Sequence, residues 1–276
     1  MKKFLLALLC LVGIVSCTRL DIAVSWADTY IASQVDDYFD ITSTQSKDLK
    51  ESLKKDITKV RKEQFPVWAA ELRRFEKDLN EDSLNEEIFH DYFLKTLETS
   101  RKIQPYFTDS AVKFISSASP VQLEHFERIL RKKNIEDEKK IQDGQKARHE
   151  TRKKYLRWVD MWMDSLTKGQ EQLLNQHLTD TPFPVLAQIK NRNYSLEKFG
   201  EAGKSTEDLK SFVRNYYNNK YQYEDPEYRQ ALHSYQAELE KFIFSLIKSM
   251  NEKQKKYLSE NLSEKASILE RLAAKE

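Results

Sequence analysis

Two cysteines, five glycines and six prolines in 276 residues leave the chain little material for tight turns, for strands joined by them, or for flexible catalytic loops. Composition therefore favours long helices. There is no glycine-rich phosphate loop and no nucleophile elbow. The five histidines, at 90, 125, 149, 177 and 233, show neither HExxH spacing nor an i, i+4 pair. Of the two cysteines, Cys10 lies inside an N-terminal apolar run and only Cys17 remains beyond it, so no second soft ligand is at hand and no metal set is assembled. No catalytic residue, metal or cofactor is expected. Apolar runs are short as well, none reaching the ~20 residues of a permanent membrane span.

What is present starts at the N-terminus. MKKFLLALLCLVGIVSC sets two lysines before an apolar run from Phe4 to Val15, the pattern of a secretory signal over residues 1–16. Ile14, Val15 and Ser16 lead into Cys17, and this resembles the lipobox of bacterial lipoproteins. The resemblance implies cleavage between Ser16 and Cys17, and acylation of Cys17, with palmitate among its chains. An ordinary signal peptide cut at a small residue is the alternative. Against it, Cys17 closes the apolar run, is the only cysteine of the remaining chain, and is followed at once by polar sequence. Cys10 follows the bulky Leu9 and belongs to the apolar run. Several acyl chains make a stable anchor. An aspartate after the lipidated cysteine would favour the inner membrane; Thr18 and Arg19 stand there instead, which implies the outer membrane and its periplasmic face.

Once Lys2 and Lys3 are removed, 44 basic residues face 44 acidic ones. Neutrality gives no global steering toward nucleic acid or anionic membrane. Residues 17–24 read as a lipidated tether and 25–276 as one helical domain.

Apolar residues recur at three- and four-residue steps through Leu49, Leu53, Ile57, Val60, Trp68, Leu72, Phe75 and Leu79, the stripe of an amphipathic helix. From Thr42 to Leu79 it would run about 57 Å if continuous, with a kink or a break at Pro66. Similar stripes cross residues 88–97, 126–130, 155–163 and 239–247. By contrast, TPFPVLAQIKNRNYSLEKFGEAGKST (181–206) reads as an irregular connection.

Four phrases resemble one another: ITSTQSKDL, ASPVQLEHF, SLTKGQEQLL and MNEKQKKYL. Each has an apolar residue before a capping residue (Thr42, Ser119, Thr167, Asn251) and a glutamine three places on (Gln45, Gln122, Gln170, Gln254). That is capping-box spacing, with Pro120 at a first helical position. The phrases mark helix starts at helix-turn-helix corners. Intervals of 77, 48 and 84 residues between caps argue against a regular solenoid. The predicted fold is all-α, an extended bundle of long antiparallel helices with short capped turns.

Leu166 to Gln170 also resembles the Leu-Thr-x-x-Gln signature of Spy-type periplasmic chaperones, which would imply binding of unfolded clients. Over most of the chain, CTRLD (17–21), VDDYFDITSTQ (35–45), FPVWAAELR (65–73), RWVDMWMDSLTKGQEQLL (157–174) and MNEKQKKYLSENL (250–262) resemble an uncharacterised family of bacterial lipoproteins, domain of unknown function 6279. That resemblance implies an all-helical envelope lipoprotein and brings no catalytic residues with it.

Three clusters remain. Asp36, Asp37 and Asp40 read as a charged helix end before the Thr42 cap. The segment KARHETRKKYLR places Arg148 and Arg152 on one helix face, either as a phosphate- or acid-binding patch or as a solvated face. FVRNYYNNKYQYEDPEY gathers Tyr216, Tyr217 and Tyr221, suited to glycan, peptide or partner-helix binding or to covering the bundle. The function expected is binding: a scaffold or assembly accessory for an unidentified envelope protein. A holdase is the alternative, and a wall-acting enzyme a more distant one.

Overall fold

The long stripe becomes one helix. In the computed structural model, which describes residues 17–275, α3 spans Ser43–Asn80 and runs through Pro66 without a break. Leu49, Leu53, Val60, Phe65 and Ala69 are buried on it. The signal segment and the Ser16 side of its cleavage site lie outside the described residues.

Around α3 the described residues form α1 (Cys17–Ser25), α2 (Ala27–Phe39), α4 (Glu86–Ile103), α5 (Thr108–Ser117), α6 (Pro120–Gln142) and α7 (Gly144–Trp162). They continue with α8 (Lys168–Asp180), α9 (Val185–Ala202), α10 (Thr206–Asn218), α11 (Pro226–Lys248) and α12 (Glu252–Ala274). Two single 3-10 turns, Gln104–Phe107 and Lys220–Tyr223, complete an all-α bundle. No described helix is long and apolar enough to cross a membrane.

The C-terminal helix returns antiparallel along α3, and the two make a spine. Arg61 Nε donates to Leu272 O at 3.1 Å near one end, and Asn80 Nδ2 donates to Ser259 Oγ at 3.0 Å near the other. Between them Arg73 donates to Ser263 Oγ and Ser267 Oγ, both at 2.7 Å. One core, with Leu20, Ala32, Leu53, Phe65, Leu269 and Leu272, fills the space where α1, α2 and α12 meet α3. A second, with Leu79, Val159, Met163, Leu174, Leu246 and Leu258, fills the far end. A third sits under α5, α9 and α10 around Ile115, Leu196, Phe199 and Leu209.

Scarce glycine is no obstacle, because the left-handed turns are taken by aspartates. Asp40, Asp82 and Asp164 have φ of 50°, 51° and 72°, and a short polar side chain tolerates that region better than most residues. The tether expected over 17–24 lies within α1, which begins at Cys17 and buries Leu20 to 3% exposure.

One segment corrects the sequence reading. Residues 185–202 form a helix of 18 residues, not an irregular connection. Pro182 and Pro184 precede it, and Ile189, Leu196 and Phe199 are buried along it. Its polar residues cross-link neighbouring elements: Asn191 Oδ1 accepts from Asp225 N at 2.7 Å, Arg192 meets Asp137 at 2.9 Å, and Ser195 Oγ donates to Tyr223 O at 2.8 Å.

Candidate functional site

All four caps close as boxes. Each capping side chain accepts from its glutamine's backbone N–H, and each glutamine side chain accepts from the cap's backbone N–H. Spacing alone does not predict how the corners associate: the four boxes join in two pairs.

In the first corner Gln45 and Gln122 face each other. Gln45 Nε2 donates to Gln122 Oε1 at 3.1 Å, and Gln122 Nε2 donates to Gln45 Oε1 at 2.8 Å. Their second amide hydrogens go to Ser117 O at 2.9 Å and Asp40 O at 3.0 Å. In the second corner Gln170 and Gln254 repeat the arrangement at 3.1 and 2.8 Å, and their second hydrogens reach Ser249 O at 3.1 Å and Ser165 O at 2.6 Å. The carbonyl accepted is always the one two residues before the partner's cap. Each glutamine thus closes its own helix start and ties off the end of the helix entering the other corner, satisfying groups that helix ends leave open.

The corners differ in burial. Gln170 and Gln254 are 1% and 4% exposed, whereas in the first corner Gln122 is 9% exposed and Gln45 is half-buried. They also stand near opposite ends of the spine, since α3 starts from the first and α12 from the second. From Gln45 to Asn80, α3 rises about 50 Å at 1.5 Å per residue. Each glutamine oxygen accepts two hydrogen bonds, one from a cap N–H and one from the partner amide, so the neutral amide pair is used up in holding the corner shut.

The sequence-derived candidates fall in different places. Cys17 opens α1. Asp36 Oδ1 accepts from Ile41 N at 2.9 Å and Asp40 is the left-handed cap of α2, so these acids shape a helix end. Arg152 binds Asn175 Oδ1 at 3.2 Å and stands 3.9 Å from Glu171, bracing α7 on α8; Arg148, one turn earlier, is exposed. Tyr216 and Tyr217 are half-buried, with Tyr217 packed against two of the cores. Burial pushes both phenols up from their ordinary range. Tyr221 is exposed, its ring flanked by Arg101 at 5.1 Å and Arg229 at 5.7 Å.

Among the buried polar groups to which the sequence reading gave no role are His177 and Asp56. His177 stacks on Phe242 with centroids 4.4 Å apart, and its Nε2 lies 3.0 Å from Tyr155 Oη, itself 2.7 Å from Tyr235 Oη. Desolvation lowers the imidazole's pKa. Asp56 accepts from the Ser110 hydroxyl in the interior, and burial raises its carboxyl pKa. Both sit on apolar stripes at helical spacing, so only their polar type in a core position marked them. Among the described residues no group of three or more His, Cys, Asp or Glu side chains could hold a metal ion.

A family model described as a family of unknown function, DUF6279, matches residues 37–229. No curated protein and no solved structure matches the chain.

Proposed function

We propose that this chain, which belongs to the DUF6279 family, is a lipoprotein of the bacterial envelope, anchored through Cys17 in the outer membrane on its periplasmic side. Under this reading it acts by binding, as a scaffold or assembly accessory for another envelope protein. The observation that carries the reading is α1. The helix that opens at the lipobox cysteine is docked on the body through Leu20, and Asp21 is held by Arg271 and Lys275 of the C-terminal region. An anchor attached there would hold a braced helical body at the membrane rather than trail it on a loose linker. A rigid display of helix faces suits a binding partner.

Replacing Cys17 with serine releases the protein from membranes under this reading. Recovery of Cys17→Ser in the membrane pellet after a high-salt wash overturns it. In-cell crosslinking then separates the two binding roles. One stoichiometric partner lost with the anchor marks a scaffold, while a broad set of immature envelope proteins marks a holdase. Because the corner glutamines bond to each other, they serve as fold locks under either outcome.

A further inference from the structure

The end of the body next to Cys17 carries apolar surface that the fold leaves uncovered. Ile22, Trp26 and Tyr30 are 52%, 63% and 50% exposed. Backbone bonds from Trp26 N to Ile22 O and from Tyr30 N to Trp26 O, both 2.9 Å, carry the helical pattern across the joint between α1 and α2. The three side chains therefore stand one turn apart on a single face. The opposite face is fixed: Leu20 and Ala32 are buried, and Val24, Ile31 and Val35 pack on the same core. Single exposed apolar residues are ordinary on a protein surface. Three in register along α1 and α2, the pair of helices that starts at the lipobox cysteine, form a stripe facing outward, and it cannot turn inward without breaking the core contacts on the other side of the same helices.

We propose that this stripe lies in the headgroup region of the bilayer that holds the acyl chains of Cys17, so that the membrane sets the body's orientation as well as its attachment. The inference rests on the lipid-anchor reading above. Position argues for this occupant. Ile22 lies about 7.5 Å and Tyr30 about 20 Å along the helix from Cys17, so a helix lying along the surface brings all three to the shallow depth at which interfacial helices bury their apolar faces. Residue type argues the same way, because tryptophan and tyrosine concentrate at membrane–water interfaces. Charge agrees: Arg271 and Lys275, gathered at Asp21 beside Ile22, are both about half exposed and suit phosphate-bearing headgroups. A second copy of the chain is a poorer occupant, since three side chains fall well short of the ~800 Å² per partner of a standard interface.

Fluorescence of the full lipidated protein in vesicles tests the proposal. The protein is reconstituted in phosphatidylethanolamine and phosphatidylglycerol with brominated acyl chains, which quench only tryptophans close to them. The chain has four tryptophans, and Trp68, Trp158 and Trp162 are half-buried in the body. Quenching by the brominated lipid is expected in the parent protein and is mostly lost in Trp26→Phe, a substitution at an exposed site that leaves the core untouched. Equal quenching in both proteins, or none in either, overturns the proposal when mass spectrometry finds Cys17 acylated. Copies crosslinked through the stripe, with Trp26 unquenched, also overturn it. An unmodified Cys17 in the same sample removes the anchor reading itself, and this inference with it, so the two failures are told apart.

Discussion

Truncating Gln170 to alanine removes one side of the buried amide pair, and its cost follows from the bonds lost. The Gln170 carbonyl accepts from Thr167 N at 2.9 Å and from Gln254 Nε2 at 2.8 Å, while its amide donates to Ser249 O and to Gln254 Oε1, each at 3.1 Å. Gln254 Oε1 keeps a bond from Asn251 N. The Thr167 N–H and one Gln254 N–H lose their acceptors in a site where the glutamines are almost fully buried. At ~1–3 kcal/mol for each unsatisfied buried group, and with some water entering the space left, Gln170→Ala costs about 2–4 kcal/mol. Gln45→Ala removes the same set of bonds at a half-buried residue beside the exposed Thr42, where water can replace them, and costs about 1 kcal/mol, the usual worth of a helix cap. Urea unfolding followed by tryptophan fluorescence reads both, because Trp158 and Trp162 pack on the core beside the second corner. The midpoint should fall with the slope unchanged. In a double-mutant cycle with Gln254→Ala, residues bonded this directly should couple by ~0.5–3 kcal/mol. The reasoning is refuted if Gln170→Ala costs no more than Gln45→Ala, or if the Gln170 and Gln254 substitutions simply add.

Other parts of the fold give further tests. His177 is held below its ordinary pKa by burial, so the unfolded chain takes up its proton first as pH falls below about 6.5. This site's contribution to stability is therefore constant above that pH and falls below it, by at most ~1.4 kcal/mol per pH unit until the folded imidazole titrates. His177→Asn should flatten that part of the pH–stability curve, and an unchanged slope would refute the assignment. Lys265 is 4% exposed, its ammonium 4.6 Å from the Trp162 ring and 2.9 Å from Asn261 Oδ1, with desolvation lowering its pKa. Lys265→Met should be neutral or raise stability by ~1 kcal/mol, since apolar packing replaces a buried charge; a large loss in thermal unfolding would mean that the ammonium is a net stabiliser. Leu174, fully buried in the second core, should cost ~2–5 kcal/mol on truncation to alanine, read by the same urea titration.

The sequence carried the helices better than their assembly. Stripes at three- and four-residue steps and Thr-x-x-Gln spacing are local, and local signals placed α3, α6, α8 and α12 and their caps. The helix over 185–202 was hidden because Asn191, Asn193 and Ser195 have the composition of a loop, and only neighbouring helices give their side chains partners. The pairing of Gln45 with Gln122 and of Gln170 with Gln254 links residues 77 and 84 positions apart. A phrase repeated four times states that there are corners, not which corners meet. Tyr216 and Tyr217 look alike in sequence to the exposed Tyr221, and their burial depends on α5 and the 3-10 turns packed over them. His177 and Asp56 were obscured for a related reason: a polar residue on an apolar stripe acquires its perturbation only from the rest of the core.

The spine also sets when the chain can finish folding. Arg61 meets Leu272 across 211 positions of sequence, so the helix that packs antiparallel along α3 is made long after α3 itself. Closing so long a loop is slow and leaves the partly made chain open to association. Until α12 is made, α3 exposes the surface of an aggregation-prone intermediate. Deleting residues 252–274 would leave that intermediate as the end product, making α12 the checkpoint for a finished molecule.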